Sequence, residues 1–391
     1  VIVDERRALS RRAWLPAVSY GVTIANLYYC QPLLPEMSRS YSSAAEVGYL
    51  PAAGQLGYAL GLVLVVPLGD VVRRRPLVCL LLLVEVVALV VTSVAPTAGV
   101  LLAAGTVIGL AGASVVNILV PWTAAHAGEH ERGRVIATML SGGLVGILLS
   151  RTIAGLGAEA FGWRALFLAA AVVTLLLTGA LARALPPDPA EVAIGWGAQF
   201  RATLDLAVSE PLLRRRSLIG ACVFGAFGVF WATVAFLLSG PPYQYGEAEI
   251  GLFALAGAAG ALMARTVGRA ADRGRQRQVT GALLVVGVAS FGVMAFGTQG
   301  LVWLVAGIVA MDMAVQGVHL LNMSVVYGLV SEARSRVASV YMTIYTLGGV
   351  AGAAAGTVAY RLGGWIAVSA TGALFMALGL IVWARGDLRA S

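Results

Sequence analysis

Apolar runs long enough to cross a bilayer recur along the whole chain, separated by short clusters of arginine, proline, glycine and a few acids. A helix needs about 20 apolar residues to span a ~30 Å hydrocarbon core. Cutting at charges, prolines and turn clusters predicts six spans over 14–35, 46–68, 77–94, 98–121, 134–158 and 164–183. Six more follow over 217–239, 249–267, 279–297, 300–325, 337–360 and 365–383. The connections Ala95-Pro96-Thr97 and Thr298-Gln299 are too short to hold structure outside a membrane. One long connection remains, 184–216. There Pro186-Pro187-Asp188-Pro189 stops a helix, and Phe200 to Val208 reads as a short amphipathic segment on a membrane surface. The predicted organisation is an N-terminal bundle over 1–183, a linker over 184–216 and a C-terminal bundle over 217–391.

Composition agrees with that pattern. Of 391 residues, 59% are hydrophobic and only 12% charged, and the mean hydropathy is +0.86. No water-soluble fold has interior room for so much apolar side chain, and disordered, collagenous, coiled-coil and disulfide-scaffold chains are excluded as well. All 27 basic residues are arginine, and with 19 acids the net charge is +8. Their positions matter more than their sum. Arg39, Arg164 and Arg361 fall on one predicted side of the membrane and Arg151 falls within a span. The remaining 23 fall on the other side, with both termini and the linker. The positive-inside rule makes that side cytoplasmic, so the charge is no sign of nucleic-acid binding. The basic start, Arg6-Arg7 to Arg11-Arg12, leads into a stretch long enough to be an anchor and not a cleaved leader. Cys30, Cys79 and Cys222 all lie in apolar stretches and read as core or lipid-facing residues.

The halves repeat. Asp70, Arg73 and Arg75 match Asp272, Arg275 and Arg277; Arg132-x-Arg134-Val135 matches Arg334-x-Arg336-Val337; Gly162-Trp163 matches Gly364-Trp365, each pair 202 residues apart. Six spans per unit keep each anchor on the same side, so the repeats are parallel, about an axis along the membrane normal. The fold class expected is an all-α integral membrane protein of twelve transmembrane helices in two pseudo-symmetric six-helix bundles. Such a pair leaves a cleft suited to alternating access.

Several motifs then narrow the reading. Gly268 to Arg275 (GRAADRGR) is similar to the loop motif G-x-L-A-D-R-x-G-R-K, and Pro67 to Arg75 (PLGDVVRRR) keeps its acid and basic run. Together with Asn26 to Pro35 (NLYYCQPLLP), Gln55 to Gly61 (QLGYALG) and Gly240-Pro241-Pro242, these resemble the major facilitator superfamily, in a bacterial branch near the drug:proton antiporters. The resemblance implies a gating role for Asp70 and Arg74, with Asp272, Arg273 and Arg275 as the second copy: the matching acid meets the N-terminus of span 11 when the cytoplasmic side is closed. The alternative is a solvated helix end that obeys the positive-inside rule. Two positions depart from the family. Gly105 stands where span 4 often carries arginine, and Ser150-Arg151 replaces the glycine and proline of the antiporter motif in span 5. The resemblance further implies a multi-pass protein of the bacterial inner membrane, working as a monomer on a small-molecule substrate.

An ionisable group inside a bilayer costs about 2.5–3.5 kcal/mol on insertion scales, so each one needs a reason. Arg151 in span 5 is a candidate cation for a substrate or carboxylate, against a structural role near the outer face. Glu85 sits midway along span 3. In span 10, Asp312, Gln316 and His319 occupy i, i+4 and i+7 on one helical face, and Asn117 is the repeat equivalent of His319. Asn26, Gln31 and Gln55 add polar groups to spans 1 and 2, and Tyr28 and Tyr29 match Phe230 and Trp231. Aromatics with a few polar groups suit an amphipathic organic substrate. The expected substrate set is therefore Asn26, Tyr29, Gln31, Gln55, Asn117, Arg151, Phe227, Trp231, Gln316, His319 and Tyr345, with Asp312 and then Glu85 as proton carriers. Interhelical hydrogen bonding and packing are the competing explanation for these residues. His126 and His130 lack a third metal ligand, and no enzyme or nucleotide motif is present. An ion gradient, with no cofactor, is the expected energy source. The function expected is proton-coupled export, with uptake of a small organic anion, Arg151 as its counter-charge, as the alternative.

Overall fold

A computed structural model describes residues 14–127, 131–186, 196–257, 269, 273–329 and 334–385. All regular structure among them is helical. In chain order the helices are α1 Trp14–Tyr28, α2 Cys30–Arg39, α3 Ala44–Val47, α4 Leu50–Leu60, α5 Arg74–Val94, α6 Ala98–His126, α7 Arg132–Phe161 and α8 Trp163–Ala184. There follow α9 Trp196–Ser209, α10 Pro211–Trp231, α11 Val234–Ser239, α12 Glu247–Phe253, α13 Gln276–Met294, α14 Leu301–Leu329 and α15 Arg334–Arg385. Among the described residues, nine helical stretches are long and apolar enough to cross a membrane. One of them, in α15, joins two predicted spans across Gly363 and Gly364. The α1–α2 pair covers the first predicted span; of the predicted span 249–267 only 249–257 are described, and the rest lies outside the described residues. Leu80, Val87, Leu176 and Leu362 are exposed aliphatic side chains on these helices. Lipid tails are as apolar as leucine, so such faces belong against the bilayer.

Three local deviations have identifiable causes. The first span does not end at 35; it runs to Arg39 and is interrupted at Tyr29. Pro32 and Pro35 have no N–H to offer the carbonyls of Tyr28 and Gln31, so the hydrogen-bond ladder fails there. The second span, predicted as uniform, passes from α4 into a π-helical turn at Gly61–Val65 and a 3₁₀ turn at Val66–Asp70. The bend in α15 depends on Gly364 at φ 61°, a left-handed conformation that glycine adopts without a Cβ clash. Its repeat equivalent, Gly162, ends α7 at φ 81°. The internal repeat therefore extends to backbone geometry.

The chain forms two compact units, Val1–Phe200 with Gly246–Leu252, and Arg201–Tyr245 with Phe253–Ser391. Each is held by backbone-to-backbone approach at small residues. In the first, α1 packs along α7 and α4 along α6. A Cβ at Gly146 would strike the backbone of Gly21, and one at Gly57 the carbonyl of Thr106. In the second unit α10 packs along α15, and a Cβ at Gly348 or Gly352 would strike the backbone of Ala221 or Gly225. With no hydrophobic drive between helices in lipid, this close approach is what recovers packing energy. The end of α7 also holds the start of α12. Glu159 Oε2 accepts from Ala248 N at 3.0 Å, and Thr152 Oγ1 donates to Gly251 O at 3.0 Å.

Candidate transport site

In the first unit the tight α1–α7 contact brings Arg151 onto the protein side of α7, buried at 4% exposure instead of extending to a membrane surface. Its Nε donates to Gln31 Oε1 at 2.7 Å, and its guanidinium lies 5.0 Å from the centroid of the Tyr28 ring. Gln55 neighbours Tyr28. A charge-assisted hydrogen bond and an aromatic face both favour the cation in low dielectric. Gln31, Gln55 and Arg151 thus come together as one group. Tyr28 joins them in place of the Tyr29 expected from the sequence.

Asn26 and Tyr29 belong to a different neighbourhood. The α5–α8 contact brings Glu85 and Thr174 together, and Asn26 Nδ2 donates to Glu85 Oε1 at 2.8 Å and to Thr174 Oγ1 at 3.2 Å. The Glu85 carboxyl is fully buried. Asn117 is separate again, donating to Ala113 O at 2.8 Å and to the Tyr58 hydroxyl at 3.4 Å.

The second unit is built mainly from rings. Phe224 stacks on Tyr345 at 4.2 Å and on Phe227 at 5.4 Å, and Phe227 leads on to Trp231 at 6.0 Å. His319 lies 4.7 Å from the Tyr345 ring, and its Nδ1 shares a 3.2 Å hydrogen bond with the Tyr341 hydroxyl. Asp312 is buried on the same helix, and Gln316 is half-buried between them in sequence. A Cβ at Gly257 would meet Asp312 Oδ2 at 2.5 Å and the Trp231 ring at 3.0 Å, so carboxylate and indole sit against the same small residue. Further along α14, Asn322 and Arg216 bond reciprocally: Arg216 Nη1 donates to Asn322 Oδ1 and Asn322 Nδ2 to Arg216 O, both at 3.2 Å.

Comparison with known proteins decides what such an architecture is. The sequence profile of the Major Facilitator Superfamily matches residues 17–353. The chain belongs to the Major Facilitator Superfamily. The uncharacterized transporter YgaY of Escherichia coli O157:H7 is 39% identical over 373 residues, covering 95% of this chain and 94% of that protein. The chloramphenicol resistance protein of Streptomyces lividans is 29% identical over 271 residues, covering 67% of this chain and 68% of its own. Among solved structures, a bacterial homolog of the human lysosomal transporter Spinster, inward-facing and occupied, matches with a TM-score of 0.76. The match covers 97% of this chain and 96% of that one at 14% identity, a likeness of fold. This superfamily member is a multi-pass membrane transporter of small molecules and not an enzyme.

The superfamily's loop motif is only partly within the described residues. Asp272 and the side chain of Asp70 lie outside them. Arg74 Nε donates to Gly69 O at 2.8 Å, closing the first copy on itself, and Arg273 and Arg275 are exposed. Gly105 has a packing explanation: even a Cβ there would press on Leu50 at 2.5 Å, and beside it Gly109 rests on the Gly54 carbonyl. An arginine at 105 has no room in this α4–α6 contact. His126 bonds the Trp122 carbonyl at 2.9 Å and packs on its ring, whereas His130 lies outside the described residues. Among the described residues no group of three His, Cys, Asp or Glu could hold a metal ion. Sequence reasoning missed Thr174, Tyr58 and Arg216. The first two look like ordinary span residues, and Arg216 counted only as a loop charge.

Proposed function

We propose that this transporter exports a small amphipathic organic compound across the bacterial cytoplasmic membrane, driven by the proton gradient. Asp312 carries the reading. It lies 11 residues into α14, about 16 Å along the helix, buried against Trp231 and followed on the same face by Gln316 and His319. An ionised carboxylate in such surroundings is expensive, and a protonated one is cheap to enclose. Protonation from the outside and release to the inside would then be linked to the enclosure of Asp312. The Phe224, Phe227, Trp231 and Tyr345 rings suit the apolar part of a substrate. The similarity to a chloramphenicol resistance protein supports export of an organic compound. In inside-out vesicles with an imposed pH gradient, labelled chloramphenicol is expected to accumulate, to be lost with a protonophore, and to fall at least tenfold in Asp312→Asn. Undiminished accumulation by that variant removes Asp312 as the carrier.

Arg151 favours a second reading, uptake of a small organic anion, because it places a buried cation within a membrane span, 4% exposed beside Gln31 and Tyr28. Accumulation of an organic anion in right-side-out vesicles, lost in Arg151→Ala, would decide for it.

Both termini and the 184–216 linker are cytoplasmic on this reading, and the transporter acts as a monomer. With Cys30, Cys79 and Cys222 replaced by serine, a cysteine at Thr298 reacts with an impermeant maleimide from outside and one at Gln199 only from inside. The reverse pattern overturns the orientation.

A further inference from the structure

The first unit holds a titratable group that the export reading leaves unused. Glu85 is the twelfth of 21 residues in α5, so its carboxyl lies about 14–16 Å along the helix from either end. It is 0% exposed, and no guanidinium bonds to it among the described residues. Asn26 Nδ2 donates to its Oε1, while Glu85 Oε2 and Asn26 Oδ1 have no hydrogen-bond partner among the described residues. Asn26 also lines a cavity of about 20 Å³, together with Cys30 and Thr92, the latter two turns from Glu85 on the same face of α5. Leu27, Leu50, Ile108 and Phe167 make the rest of its lining mainly apolar, and Asn26, Cys30 and Thr92 are the polar groups that one water in a space of that size would meet. The titratable neighbours are Tyr29 and Cys30 of the first span. Thr174 comes from α8, Thr92 from α5 itself, and only Gly105 and Ile108 from α6.

The same first span serves two masters. Asn26, before the interruption at Tyr29, holds Glu85; Gln31, after it, holds Arg151. At the joint, the Tyr28 and Gln31 carbonyls have lost their helical donors to Pro32 and Pro35, so it is the softest point of the span.

We propose that Glu85, Asn26 and Thr174 form a second proton site, apart from the substrate-binding groups, whose charge state shifts the first span about Tyr29 and through it the position of Gln31 and Arg151. The neutral carboxyl fits the site as built, with one donor from Asn26. The ionised carboxylate needs further donors, and water entering beside Asn26, Cys30 and Thr92 is the available supply. Accommodating it draws the span open at its joint and moves Gln31 relative to Arg151. No bond is made or broken except that to the proton, which passes between Glu85 and water. The inference rests on the proton-coupled reading for its place in a cycle, but its test needs neither substrate nor gradient.

Infrared difference spectra of the purified full-length protein, recorded against pH, read the protonated-carboxyl stretching band directly. A pH-dependent component of the band is expected to persist in Asp312→Asn and to vanish when Glu85→Gln is added to that variant. Asn26→Leu, which removes the donor to the carboxylate, is expected to keep the band at a pH where the wild type has lost it. With Cys79 and Cys222 replaced by serine, labelling of Cys30 by N-ethylmaleimide is expected to rise more steeply with pH than in Glu85→Gln. A band unchanged in Glu85→Gln, or in Asn26→Leu should Glu85→Gln not fold, overturns the site. Cys30 labelling with the same pH dependence in Glu85→Gln overturns the link to the joint. Loss of transport in Asp312→Asn with this band intact leaves the two carboxyls separate; survival of transport there sinks the export reading alone.

Discussion

Where the first half of the repeat places Tyr28 and Tyr29, the second places Phe230 and Trp231. The substitution is small, yet the surroundings differ throughout. Around the tyrosines are Arg151, Gln31, Gln55, Asn26 and Glu85, with Arg151 bonded to Gln31 and Asn26 to Glu85. Around the tryptophan are stacked rings with a single carboxylate among them, Asp312. Both sets are held by close approach at small residues: Gly146 and its repeat equivalent Gly348 each meet a facing backbone, that of Gly21 in one half and of Ala221 in the other. A duplicated scaffold has kept close backbone contacts and diverged in what it buries, polar and charged groups in the first half and mainly rings in the second.

The shared part of that comparison predicts the largest effects. Gly146→Leu and Gly348→Leu, 202 residues apart, should both remove folded protein from the membrane fraction, because each side chain must enter a facing backbone. Gly292→Ala, with open space around it, should leave the yield unchanged. If Gly146→Leu is tolerated and Gly348→Leu is not, the two halves do not share their scaffold.

The differing part comes next. Arg151→Ala loses a charge-assisted hydrogen bond worth roughly 1.5–3 kcal/mol and should reduce transport about tenfold or more. Arg164→Ala loses exposed contacts with the Trp163 and Tyr41 rings and should stay within about twofold. Equal small effects would assign Arg151 to packing. In the ring-built half, Tyr345→Ala removes contacts with Phe224 and His319. Aromatic pairs contribute roughly 0.5–1.5 kcal/mol, so apparent substrate affinity should fall roughly twofold to tenfold. Tyr345→Phe keeps the stack and should change it least. A Phe variant as weak as the Ala variant would move the role from the ring to the hydroxyl.

Spans, repeat and fold class were legible because hydropathy and arginine bias act over twenty residues at a time, and no local detail can hide them. The grouping of site residues was legible only in part. Asn26 and Gln31 are five residues apart, about 140° around a helix at 100° per residue, so one face cannot carry both. Tyr28 and Gln31, three apart, share a face, as do Asn26 and Tyr29, and the structure pairs them that way. Thr174 and Tyr58 could not be found from the chain, because a lone hydroxyl in a span can always bond its own carbonyl four residues back, as Thr174 also does. Arg216 was hidden by its neighbours Arg214 and Arg215, which made a half-buried hydrogen-bonding group look like a loop charge.

The first amides of a helix have no acceptor within it, and in α12 one of them, Ala248, is satisfied by a carboxylate borrowed from α7. That makes Ala248 an unlabelled gauge of another helix. Glu159 sits eight residues beyond Arg151, about 12 Å along the same rod. A displacement of α7 that pulls the carboxylate away leaves the Ala248 amide to water. Deuterium uptake in a peptide covering residues 246–250, followed by mass spectrometry, would therefore register motion at Arg151 without a probe placed anywhere near it.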